Sequence, residues 1–312
     1  MTRLSFLPPP AFLLAAFLLA AFPLATTAHA AVDPALLNLA PPEAKVLYGI
    51  QVQATLASPF GQFALSHLPA NAVTRFAAAT GFEVQRDLQE VVVASNASDG
   101  SDALILARGT FPSDKFIALA SVTGATVYDY HGVSVITPPE RNAKVFAFLD
   151  PTTLVIGTEP ALRDVIDRRA AGAVFAGPLL QKAKDASTAA DAWFATVTPL
   201  VDMIPPTTNG GIFNPATLLE SVIETWAGLH FDNVGVTLFA EALTHSDTEA
   251  QGLAAVLRLA AGMVKGTPAA ALQNAQVTAA GPVTRITLSV AEHDLERSFP
   301  STAPRRAARV AF

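Results

Sequence analysis

The chain has 312 residues, no cysteine, 15% charged and 51% apolar side chains, and a formal net charge of -6. This composition is typical of a globular chain, and it excludes a disulfide scaffold, a disordered chain and a polytopic membrane protein. The acidic balance also argues against nucleic acid as a partner, because nucleic-acid binders carry a broad basic surface.

The first 30 residues have the pattern of a secretory signal peptide. Arg3 supplies a positive start, an apolar run covers positions 11–22, and Ala28 and Ala30 form a small-x-small cleavage signal. A transmembrane helix needs about 20 apolar residues, and the prolines at positions 8–10 prevent this run from extending backwards. We expect cleavage after Ala30, no transmembrane anchor in the mature chain, and a periplasmic or extracellular location.

Residues 31–169 predict a first α+β unit. Its predicted elements are a strand at 45–54, helices at 58–68 and 72–79, a hairpin of 90–95 with 103–108, a helix at 112–120, hairpins at 126–137 and 144–157, and a helix at 158–169. Turn residues delimit them: His131 and Gly132 connect one hairpin, Asp150 and Pro151 connect the next, and Thr158 is expected to cap the last helix.

Residues 191–298 predict a second unit, after an alanine-rich linker at 170–190 with one short helix near 178–183. Its predicted elements are a strand at 192–197, a helix that begins at Asn214 and carries Leu219, Val222, Ile223 and Trp226 on one face, a strand at 230–241, a helix at 246–265, a hairpin of 275–279 with 284–290, and a short helix at 291–297. A disordered basic tail is expected at 299–312.

The two units show a similar order of elements, and their short hairpin connections require antiparallel pairing. The sequence therefore predicts an α+β fold of two tandem, degenerate repeats, each a mainly antiparallel sheet with helices packed on it. Whether the two halves share one sheet does not follow from the sequence.

The common local motifs of catalysis, GxSxG, GxGxxG, the P-loop and HExxH, are absent from the sequence. The polar cluster at 245–249 is explained by the start of a helix, and His131 by a hairpin turn. We predict no catalytic residue, no metal ligand and no cofactor. A hydrolase assembled from dispersed residues such as His131, His245 and Asp247 is one alternative.

The loop at 203–214 is the candidate surface for a partner or ligand. Among its prolines and glycines it carries four apolar side chains, Met203, Ile204, Ile212 and Phe213. Such side chains either fold inward over the core or form a lid or a partner-binding surface.

Three segments carry a resemblance to known proteins. Residues 33–42 (DPALLNLAPP) and 58–63 (SPFGQF) resemble the start of secreted proteins from soil bacteria, and residues 148–157 (FLDPTTLVIG) resemble a strand–turn–strand segment. The family resembled is an uncharacterised one of exported bacterial proteins of unknown function, built from tandem α+β (βα-repeat) units. The resemblance covers most of the first half and implies architecture only; no functional residue is carried over.

These observations favour an exported, non-catalytic binding or structural module of the cell envelope, whose partner would be an envelope protein. The alternative is a carrier of an apolar small molecule in a groove between the two lobes, with residues 203–214 as its gate.

Overall fold

One antiparallel sheet organises the part of the chain that the computed structural model describes, residues 31–66, 70–96, 102–140, 143–203, 219–233, 235–263 and 274–291. Its strands are β1 (Val46–Gln51), β2 (Leu88–Ser95), β3 (Leu104–Gly109), β4 (Thr126–Tyr130), β5 (Val133–Thr137), β6 (Val145–Asp150), β7 (Thr153–Gly157), β8 (Ala192–Thr196), β9 (Val222–Phe231), β10 (Gly235–Thr244), β11 (Gln276–Ala280) and β12 (Val283–Ala291). They lie in the order β11-β12-β10-β9-β8-β1-β2-β3-β7-β6-β5-β4. Every neighbouring pair is antiparallel. The predicted α+β class is confirmed, and both halves share one sheet.

Helices cover both faces of this sheet. They are α1 (Pro34–Leu37), α2 (Val52–Ala57), α3 (Pro59–Ser66), α4 (Ala70–Thr80), α5 (Val84–Asp87), α6 (Ser113–Val122), α7 (Glu159–Ala170), α8 (Pro178–Ala189) and α9 (Asp247–Met263), with a 3₁₀ helix at Leu200–Met203. Side chains alternate between the two faces along each strand, as in any β-strand. On β2, for example, Val92 and Ala94 point to one core and Val91 and Val93 to the other.

The first face, which we call the α7/α8 face, is packed by α1, α7 and α8. Each helix contributes a fully buried side chain to the contact with the strands: Leu36 from α1, Leu162 from α7 and Ala183 from α8. The opposite face, the α6/α9 face, is packed by the other helices. There α6 contributes Ala120, α3 contributes Phe60, and the backbone of α9 accepts a hydrogen bond from Thr284 of β12.

The predicted helix over Leu219, Val222, Ile223 and Trp226 is wrong from Val222 onward, because this segment begins β9. The apolar spacing fits a helix, but the β-branched residues favour a strand, and β9 pairs with both β8 and β10. The single strand predicted at 230–241 is also wrong. It is divided between β9 and β10 by a turn in which the side chain of Asp232 accepts a hydrogen bond from the Gly235 N–H at 2.9 Å.

The segment 170–190, expected to be a linker with one short helix, contains the twelve-residue helix α8. Leu179, Ala183 and Ala186 are buried against β8 and β9. More than half of this segment is therefore a helix packed on the sheet and not a connecting linker. The structure does not test the predicted boundaries of the two units, 31–169 and 191–298, which stay a prediction.

The strand order contains an internal likeness between the halves. From the middle outward, one half runs β1-β2-β3-β7-β6 and the other β8-β9-β10-β12-β11. The two series correspond strand by strand when the hairpin β4–β5 is left out. The tandem repeat itself stays a prediction, since this correspondence concerns strand order alone.

Two glycines allow neighbouring side chains to pack closely where the halves meet. Gly49 of β1, Trp193 of β8 and Gly228 of β9 lie side by side in register. The Trp193 ring lies over Gly49, where a β-carbon would approach it to 2.2 Å, and the absence of a side chain at Gly228 makes room for Ala190. Trp193 is consequently 1% exposed.

Candidate functional site

The surface predicted at Met203, Ile204, Ile212 and Phe213 falls almost entirely outside the described residues. Of the four, only the backbone of Met203 is described, at the end of the 3₁₀ helix. The predicted partner or ligand surface at this loop therefore stays a prediction. The signal peptide, the tail at 299–312 and the short helix at 291–297 lie outside the described residues too, apart from Ala291 at the end of β12.

His131 forms the predicted hairpin turn between β4 and β5. It has a positive φ of 53°, and Gly132 follows with a φ of 82°, which is the backbone of a type I′ turn. The carboxylate of Asp129 accepts a hydrogen bond from the Gly132 N–H at 3.2 Å. The imidazole lies at an exposed turn and packs edge-on against the ring of Tyr130.

The polar residues before α9 form the expected helix start. The Ser246 hydroxyl accepts a hydrogen bond from the Glu249 N–H at 3.2 Å, and the Glu249 carboxylate accepts one from the His245 N–H at 2.9 Å. This reciprocal arrangement satisfies amides that a helix N-terminus leaves free. Asp247 lies in the first turn, where a negative charge is favourable.

A histidine–carboxylate pair that the sequence analysis did not single out connects the start of β8 to the end of β9. His230 Nδ1 lies 2.9 Å from the carboxylate of Asp191, and both residues are about 95% buried. The same carboxylate oxygen accepts the Phe231 N–H at 2.9 Å, and the backbone carbonyl of Asp191 accepts the Gln51 N–H. These bonds hold three strands together, so the pair has a structural role.

A buried glutamate was also missed. Glu90 of β2 is 4% exposed and lies between Gln51 of β1 and Arg108 of β3, its neighbours in register. Its carboxylate accepts hydrogen bonds from the Gln51 side-chain amide at 2.9 Å and from the Asp33 N–H at 3.0 Å. Burial raises the pKa of Glu90 to about 7, and the Asp33 charge adds to that rise; the Asp33 N–H bond and the Arg108 charge oppose it.

Glu90 belongs to a network that fastens the N-terminal segment, which we define as residues 32–40, to the α7/α8 face. The Asp33 carboxylate forms an ion pair with Arg108 at 2.6 Å and also caps α1. At the far end of the segment, Arg168 of α7 donates to the backbone carbonyls of Leu39 and Ala40, both at 3.0 Å. These two bonds give Arg168 a structural role.

An apolar cavity opens on the α6/α9 face between α4, α6 and the end of β5. We call it the phenylalanine pocket; its volume is about 210 Å³, and the side chains that define it are Phe76, Phe116, Leu119, Ile136 and Phe146. Ile136 is fully buried, whereas Phe76 is 41% exposed. Phe76 and Phe116 contact each other edge to face at 5.4 Å and belong to a larger cluster of rings. No sequence signal pointed to this pocket, because its residues come from separate segments.

A second cavity of about 320 Å³ lies at the start of α7 and carries the carboxylates of Glu43, Asp102 and Asp164. Several of its polar groups are used internally, since the Asp102 carboxylate accepts hydrogen bonds from the Ser95 hydroxyl and the Asn96 N–H, and Asp164 forms an ion pair with Arg168 at 2.7 Å. Within the described ranges, no cluster of three or more metal-ligating side chains has the geometry of a metal site. Among the helices described, none has the length and apolar character needed to cross a bilayer.

Comparisons with solved structures show a likeness to a bacterial protein, whereas the sequence comparisons show none. No protein-family model matches the sequence, and no curated protein matches it. Solved structures of TP0453, a treponemal bacterial protein, are similar to this chain: crystal form I has a TM-score of 0.48 at 12% identity and form IV a TM-score of 0.49 at 11% identity. Each match covers 86% of this chain and 97% of TP0453. At such scores and identities the likeness assigns no role to any residue.

Proposed function

We propose that this chain is an exported, non-catalytic binding module of the cell envelope, released from its leader after Ala30. The N-terminal segment carries this proposal. Val32, two residues beyond the expected cleavage site, is 2% exposed, and Leu36 and Leu37 are fully buried. Cleavage after Ala30 would remove the apolar leader and leave the core contacts of the N-terminal segment complete.

The assignment of binding rather than catalysis rests on the roles of the candidate residues. His131 belongs to a turn, His245 and Asp247 belong to a helix start, and His230 is held by Asp191 inside the fold. Each of these groups has a structural task that explains its position. A general base must reach a substrate proton from a cleft, and the candidates named here are placed at a turn, at a helix end or in the core.

Membership in a family of exported bacterial proteins with tandem α+β units is part of the same proposal. The corresponding strand series of the two halves supports it. A partner among envelope proteins is favoured over the alternative, an apolar-ligand carrier gated by residues 203–214.

The test is expression of the full-length precursor in a bacterium, followed by fractionation and intact-mass measurement. We expect the exported protein to begin at Ala31, and the variant Ala30→Glu to accumulate with its leader attached, since signal peptidase needs a small residue there. Crosslinking in intact cells should then join the mature protein to an envelope component. A precursor that stays uncleaved in the cytoplasm would contradict export, and a mature protein that captures no envelope component would contradict the binding role.

A further inference from the structure

The phenylalanine pocket has the size of a site for one small ring-bearing molecule. An enclosed apolar cavity of about 150 Å³ is enough to bind benzene; this pocket has about 210 Å³ and is open to solvent beside Phe76, Thr123 and Glu140. Its floor is the fully buried Ile136, and its wall includes the rings of Phe116 and Phe146. The available volume therefore suits a single ring with a short substituent.

The polar groups at this pocket determine which substituent a bound ring would carry. Thr123 and Glu140 line it, and both are exposed, so they lie on its solvent side. The Thr123 hydroxyl is 3.0 Å from the carbonyl oxygens of Leu119 and Ala120. Because a hydroxyl has one hydrogen, and here it is donated to the helix, Thr123 offers only lone pairs to a ligand.

Glu140 is likewise an acceptor when ionised, and it adds a negative charge. Both polar groups are therefore complementary to a hydrogen-bond donor on the ligand. A carboxylate at the same place would face two acceptors and a like charge, which costs about 1 kcal/mol at 4 Å in water. Small-molecule sites usually have this composition, a mainly apolar lining with a few polar groups.

We propose that the phenylalanine pocket binds a small apolar alcohol or amine, with its ring among the phenylalanines and its hydroxyl or ammonium at Thr123 and Glu140. This inference goes beyond the proposed function, because it adds a small-molecule site on the α6/α9 face to a module whose proposed partner is an envelope protein. Export and the loop at 203–214 play no part in the argument.

The probes are three compounds with one ring and different substituents: benzyl alcohol, benzylamine and benzoate. Titration of the mature protein, followed by ligand-observed NMR and calorimetry, should give saturable binding of the alcohol and the amine. Benzoate should bind at least about fivefold more weakly, which is the factor that corresponds to about 1 kcal/mol. The variant Glu140→Gln should narrow the difference between benzoate and benzylamine.

Variants that fill the pocket with a larger side chain, here called filling variants, show where the probes bind. Ala120→Leu places a larger side chain on the pocket wall and should abolish binding, whereas Ala118→Leu, on the exposed side of the same helix, should leave it unchanged. Ala125→Leu, at a less buried position of the lining, replaces Ala120→Leu if that variant does not fold.

The inference is overturned if neither alcohol nor amine binds saturably, if benzoate binds as tightly as they do, or if the filling variants bind normally. Envelope crosslinking of the filling variant separates the two proposals. Crosslinking that persists when no probe binds leaves the binding module standing and removes the pocket ligand alone.

Discussion

Replacing Glu90 by glutamine should change how stability depends on pH. The pKa of Glu90 is raised from 4.5 to about 7 in the folded protein, so the folded chain holds this proton more tightly than the unfolded chain does. The corresponding part of the free energy of unfolding is complete below pH 4.5 and is lost as the pH rises through 7. At 1.36 kcal/mol for each pKa unit, the loss is on the order of 3 kcal/mol.

Glu90→Gln keeps the shape of the side chain and removes the charge. Its amide can accept from the Asp33 N–H and, after the Gln51 amide turns over, donate to Gln51, so the network stays hydrogen-bonded. We therefore expect the variant to be more stable than the parent at pH 8, by an amount on the order of 3 kcal/mol, and the difference to shrink toward pH 4.5.

Urea unfolding of parent and variant at several pH values between 4.5 and 8 measures this difference. Glu43→Gln, at an exposed glutamate, is the matched control and should show no comparable trend. A parent–variant difference that is the same at every pH would refute the reasoning. An NMR titration that places the Glu90 carboxyl near 4.5 would do so as well.

Two other substitutions, each with a matched control, test the packing. Gly49→Ala should lower the free energy of unfolding by about 1–3 kcal/mol, because the new β-carbon would lie 2.2 Å from the Trp193 ring. Its control is Gly252→Ala, on an open part of α9, which should raise the free energy of unfolding by up to about 1 kcal/mol. Leu36→Ala should cost about 2–5 kcal/mol if the N-terminal segment is part of the core, whereas Leu259→Ala, at a side chain that is 58% exposed, should change stability by less than about 0.5 kcal/mol. Urea unfolding checks all four; a Leu36→Ala cost as small as that of Leu259→Ala would contradict the core role of the segment.

Turn chemistry made much of the first half predictable from sequence. His131 with Gly132, and Asp150 with Pro151, delimit hairpins whose strands lie within a residue or two of the predicted positions. Such signals are local, since the residues that form the turn also determine its backbone. The start of β9 was mispredicted because its apolar spacing fits a helix as well as a strand. Pairing with β8 and β10, which selects the strand, involves residues far away along the chain.

The buried polar groups could not be predicted for the same reason. Glu90 contacts Asp33 across 57 positions, and His230 contacts Asp191 across 39. Nothing in the residues around Glu90 shows that the segment at Asp33 would cover it. The phenylalanine pocket likewise combines α4, α6, β5 and β6, whose apolar residues are consistent with an ordinary core.

The position of β1 in the sheet has a consequence for the time at which the protein can finish folding. β1 pairs with β2 on one side and with β8 on the other, and Val46 faces Thr196, 150 positions later (196 minus 46). In a chain that leaves a translocation channel N-terminus first, β1 emerges early and waits with one unpaired edge until β8 follows. Exposed strand edges recruit other chains, so under the proposed export a holding chaperone outside the cytoplasm would be most useful during that interval.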